Sequence, residues 1–107
     1  MSNIDLYIED ETDIYNETYI KVELDNLDIK NKTISNTKLE RCNLTTSDYD
    51  NTYFEKVEFI NCDLSNTKFI NCNFREVTFD NCKLVGTNIS NCHITSNIFI
   101  FIKNFNI

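Results

Sequence analysis

Five cysteines are the side chains of this sequence best suited to chemistry, as nucleophiles, metal ligands or disulfide partners. They are Cys42, Cys62, Cys72, Cys82 and Cys92, separated by 20, 10, 10 and 10 residues. A zinc ribbon or finger needs close Cys-x-x-Cys pairs, and none occurs. A secreted disulfide framework usually has an even count. Five thiols in this arrangement therefore read as small, buried, reduced side chains of a cytoplasmic protein. Metal binding by Cys42, Cys62 and Cys82 has no second ligand type to support it, so neither a metal nor another cofactor is expected.

The remaining chemistry is sparse. His93 is the single histidine, and its neighbour Cys92 would face the opposite way in extended chain, which rules out a Cys–His pair. Carboxylates are plentiful, but none recurs with a partner that suggests paired acid/base work. Gly86 is the only glycine, which excludes phosphate-cradling loops of the Walker or Rossmann kind. No catalytic residue is assigned, and the chain is not expected to be an enzyme.

The elements that position these residues follow from a repeat. Every fifth residue from Leu24 to Phe99 is Leu, Ile, Phe or Tyr, sixteen positions in succession. Two residues before each centre sits a smaller side chain, with few exceptions, and every cysteine falls in this phase. Two residues after it Asn dominates, as at Asn26, Asn31, Asn36, Asn51, Asn61, Asn66, Asn71, Asn81 and Asn91. An α-helix smears a five-residue period around its axis, and a straight strand sends alternate centres to opposite faces. A chain that turns a corner every five residues buries them all. Asn, which tolerates positive φ, suits the corners where Gly is nearly absent.

A twenty-residue register counts the corners. Leu24, Leu44, Leu64 and Leu84 form one series, and Cys42, Cys62 and Cys82 another. Four sides of five residues make one coil, and each residue stacks on its counterpart about 4.8 Å below. Residues 22–101 thus form about four coils of an all-β, parallel β-helix with stacked aromatics, Phe54 on Phe74 and Phe59 on Phe79 on Phe99. Leu27 and Lys32 depart from the small phase. Either regular coiling begins near Ile34, or Lys32 snorkels towards the open end of the stack.

Cys62-Asp-Leu-Ser-Asn66, Cys72-Asn-Phe-Arg-Glu76 and Cys82-Lys-Leu-Val-Gly86 carry the five-residue unit of the pentapeptide-repeat proteins, which this chain resembles over about three-quarters of its length. The resemblance implies a right-handed quadrilateral β-helix and end-to-end dimers through the C-terminal coil. It also brings an alternative function, because some members are DNA mimics that bind gyrase or topoisomerase IV and confer quinolone tolerance.

The ends frame the expected function. Residues 1–21 form an acidic N-terminal cap segment with six acids against Lys21, while residues 22–101 carry eleven acids against eight bases. The net charge of −7 opposes direct nucleic-acid binding. No secretory signal is read at the N-terminus, and the apolar run from Ile98 to Ile107 falls short of the ~20 residues of a membrane span. That run, with the tail at 102–107, either folds over the last coil or forms a symmetric homodimer contact through Phe99, Phe101, Ile102, Phe105 and Ile107. The sequence is read as a non-catalytic scaffold or protein-interaction module of a bacterial cytoplasm, with an unidentified protein partner. A topoisomerase-binding DNA mimic is the alternative.

Overall fold

A computed structural model describes residues 13–95, together with the backbone of 99–101. Among the described residues there are strands and no helix. Strands are numbered in chain order. The first side of the coil stacks β1 (Ile14–Tyr15), the first half of β4 (Thr33–Glu40), the first half of β6 (Tyr53–Ile60), β8 (Asn73–Arg75) and β11 (His93–Thr95). The second side stacks β2 (Thr18–Ile20), the second halves of β4 and β6, β9 (Thr78–Asp80) and β12 (Phe99–Phe101). The third side makes only single parallel bridges, from Glu23 to Asn43 to Asp63 to Lys83. The fourth is a sheet of β3 (Asp28–Lys30), β5 (Asp48–Asp50), β7 (Lys68–Ile70) and β10 (Asn88–Ser90).

Every strand pairing is parallel, and the partners are one coil apart. Ile14 pairs with Ile34, Ile34 with Phe54, Phe54 with Phe74, and Phe74 with Ile94. Parallel strands ordinarily need long crossovers; here the other three sides of the coil supply them. Leu44, Leu64 and Leu84 are buried in one column, with Leu44 N–H donating to the Asp63 carbonyl and Leu64 N–H to the Lys83 carbonyl, both at 2.8 Å. The chain is a β-solenoid of about four turns.

The corners explain why the sequence can turn so often. Every fifth residue from Asn16 to Asn91 has positive φ, between 48° and 58° except for Gly86 at 73°. Most are Asn, whose side chain tolerates the left-handed region at least cost among non-glycine residues. Their amides also form ladders, with Asn36 Nδ2 donating to Asn16 Oδ1, Asn51 to Asn31 and Asn81 to Asn61 at 2.6–2.7 Å. At Gly86 a Cβ would collide with Asn66 Oδ1, so glycine is needed for space as well as for φ.

The interior is filled by stacked rings and aliphatic columns. Phe59 lies on Phe79 with centroids 5.0 Å apart, Phe54 on Phe74 at 5.3 Å, and Tyr49 on Phe69 at 5.1 Å. Rings of neighbouring columns meet edge to face, as Phe69 does with Phe74 at 5.4 Å, the arrangement that ring quadrupoles favour.

The two ends of the stack add detail to the sequence reading. Regular coiling does not wait for Ile34, because Leu24, Leu27 and Ile29 are already buried, and Lys32 is itself only 4% exposed. The ladder reaches back to Ile14 and Tyr19, which occupy the centre phase within residues 13–21. At the other end Ile100, not Phe99, stands opposite Phe79. One extra residue lies between Ile94 and that position, so the five-residue count lengthens by one and Phe99 leaves the Phe59–Phe79 column. Ile89 and Ile94, although in the centre phase, are 51% and 59% exposed at the C-terminal end of the described stack.

Candidate functional site

The small phase does more than save space. All five cysteines are free thiols, four buried and Cys92 half-buried. Each donates to the carbonyl twenty-three residues earlier, on the coil below: Cys42 to Tyr19, Cys62 to Leu39, Cys72 to Tyr49, Cys82 to Phe59 and Cys92 to Phe69, at 3.2–3.4 Å. Ser47, Thr67 and Thr87 do the same with hydroxyls, to Leu24, Leu44 and Leu64. This phase therefore satisfies carbonyls of the buried centres. The signal was present in the sequence: the small positions are rich in Cys, Ser and Thr, and the chain contains no Ala.

Cys42 and Cys72 are poor nucleophiles, because their surroundings disfavour the thiolate. Burial pushes Cys72 up to about 11, and the Cys62 thiol together with burial raises Cys42. Contact with Cys62 lowers Cys82 instead. Burial also raises the Tyr49 phenol.

The outer sides carry isolated polar groups. His93 is exposed on β11, while Cys92 beside it is half-buried. Arg75 lies 3.8 Å from Glu55 one coil below, and Tyr53 donates to Glu55 Oε2 at 3.1 Å. Among the described residues no three His, Cys, Asp or Glu side chains are placed to hold a metal ion. Open depressions mark the surface among the described residues. One is lined by Glu17, Lys38, Lys56 and Glu58, another by Asn61, Cys62, Asp63, Asn81, Cys82, Lys83 and Val85.

Of the proposed contact residues, Phe99 and Phe101 lie on β12, whose backbone pairs with β9. Ile102, Phe105 and Ile107 lie outside the described residues. Half-exposed Ile89 and Ile94 belong to the same end of the stack and were read from the sequence as buried centres.

The family model described as "Pentapeptide repeat region" matches residues 32–100. The chain belongs to the pentapeptide-repeat family. This pentapeptide-repeat chain is similar in structure to a trypsin-treated variant of QnrB1, described as a plasmid-mediated fluoroquinolone resistance protein, with 16% identity and a TM-score of 0.47 over 89% of this chain and 55% of that one. It thus spans about half the length of QnrB1. It is also similar to Rfr23, a pentapeptide repeat protein from the cyanobacterium Cyanothece 51142, with 14% identity and a TM-score of 0.31 over 91% of this chain and 97% of that one. No curated protein matches the chain.

Proposed function

We propose that this pentapeptide-repeat chain is a non-catalytic interaction module that binds a protein partner through its outer sides and pairs with a second copy through its C-terminal end. One observation carries the first part of the reading: centre residues fill the axis from Ile14 to Leu84, which leaves recognition to the outer surface. The module's partner is tested by affinity capture from its native cell. The reading expects one protein to be retained by the folded chain and released by heat-unfolded bait. Equal recovery on both baits contradicts it.

The exposure of Ile89 and Ile94, apolar residues of the core phase, supports pairing at that end. Light scattering on Ile89→Asp/Ile94→Asp is expected to report monomers where the parent chain reports dimers.

A second reading, mimicry of DNA towards gyrase or topoisomerase IV, draws support from acidic residues on the third and fourth sides. Asp28 and Asp48 are direct neighbours in the ladder, with Glu23, Asp25, Asp50 and Asp63 on the same two sides. A supercoiling assay with purified gyrase separates the two readings. Inhibition or protection at micromolar protein supports mimicry, and no effect removes it.

A further inference from the structure

One rule governs the ladder on the first side of the coil. The N–H just before each centre donates to the main-chain carbonyl twenty-one residues back, on the coil below. Tyr53 donates in this way to Lys32, Asn73 to Thr52 and His93 to Cys72, at 2.9–3.0 Å. The same rule opens the other three sides, where Lys38 donates to Glu17, Asn43 to Val22 and Asp48 to Leu27. Thr33 N–H is the first of this series on the first side, and it donates to a side chain, Asp13 Oδ1, at 2.7 Å.

The carboxylate is held in place for this bond. Its other oxygen, Oδ2, accepts the Tyr15 hydroxyl at 3.1 Å, and the residue is half-buried. An ionised acceptor makes a shorter and stronger bond than a neutral carbonyl. The Thr33 bond is accordingly shorter than its main-chain counterparts on the same side.

The sequence changes at the same point. The five-residue phase runs back from Leu24 through Tyr19 to Ile14, all three buried. The next step back falls on Glu9, a charged residue that is costly to bury on an apolar axis. We propose that Asp13 is the N-terminal stop of the solenoid: its carboxylate takes the acceptor place of a main-chain carbonyl on the first rung, and the regular coil begins at this residue. The role parallels that of Asp at a helix N-cap, where a side-chain oxygen satisfies an N–H that the backbone pattern leaves over. Thr33 N–H is paired without a further regular coil beneath it.

The test reads the bond itself in the full chain. Scalar coupling across hydrogen bonds, measured by NMR on isotope-labelled protein, is expected to connect the Thr33 amide nitrogen with the side-chain carboxyl carbon of Asp13. Coupling to the main-chain carbonyl carbon of Thr12 in its place overturns the assignment. So does the absence of the Asp13 coupling in spectra that show the Tyr53–Lys32 one. Amide hydrogen exchange gives a second readout. Asp13→Ala is expected to speed exchange at Thr33 about tenfold relative to Tyr53, the loss of one charge-assisted bond. Asp13→Asn keeps an Oδ1 acceptor and is expected to restore most of the protection. Unchanged exchange at Thr33 in Asp13→Ala, or equal acceleration at Thr33 and Tyr53, contradicts the stop. The coupling needs no variant, so it decides the question even where Asp13→Ala does not fold.

Discussion

The Cys62 thiol donates to the carbonyl of Leu39, 3.3 Å away and twenty-three residues back in the chain. Thr67 makes the same bond to Leu44 at 2.7 Å. The pair shows that a residue chosen for small size also closes a hydrogen-bond account on the coil below. Thr67→Val keeps shape and removes the donor. The variant is expected to lose about 1–3 kcal/mol in urea unfolding, the cost of an unsatisfied buried carbonyl. Cys62→Ser, which keeps a donor, is expected to lose less than Thr67→Val; the reverse order contradicts this role.

The corners supply a second test. Asn51 has φ near 50° and its amide donates to Asn31. Asn51→Ala puts an unassisted side chain in the left-handed region and is expected to cost about 1–2 kcal/mol. Glu76, at φ 54°, is the opposite case. Glu76→Asn is expected to raise the urea midpoint, because Asn accepts that backbone more readily.

Ring stacking can be measured as a coupling. Phe59 and Phe79 lie nearly parallel, 4° apart in plane. A double-mutant cycle with Phe59→Leu and Phe79→Leu is expected to give an interaction energy of about 0.5–1.5 kcal/mol. Additive losses would show that the rings fill space without interacting.

Alkaline pH should weaken the fold. Burial raises Cys72 from 9.0 to about 11 and raises Tyr49 above its ordinary 10.0. Between the unfolded and folded values the native state holds more protons, so stability falls as pH rises. The contribution is intact below about pH 9 and is lost upward from there. Tyr49→Phe is expected to flatten the fall above about pH 10, read from urea midpoints across pH. An unchanged slope contradicts the burial of that phenol.

Much of this architecture was legible because a five-residue period admits few backbones. Leu44, Leu64 and Leu84 stand in the column their spacing requires, and Asn residues hold the corners. The donor role of Cys62 and Thr67 was hidden because a pattern of sizes does not state where an S–H or O–H points. The register change at Ile100 was hidden for another reason. Ile98, Phe99, Ile100 and Phe101 are all apolar, so hydropathy cannot tell which one keeps the phase. Ile14 and Tyr19 carry side chains that could lead into the first coil, but the acidic residues around them leave strand and helix equally open in the sequence.

The column of leucines is where the account is most directly exposed. Methyl–methyl NOEs in leucine-labelled protein are expected to connect Leu44 with Leu64 and Leu64 with Leu84, with none between Leu44 and Leu84, two coils apart. If Leu64 shows no contact with either of the other two, the chain does not coil with a twenty-residue turn.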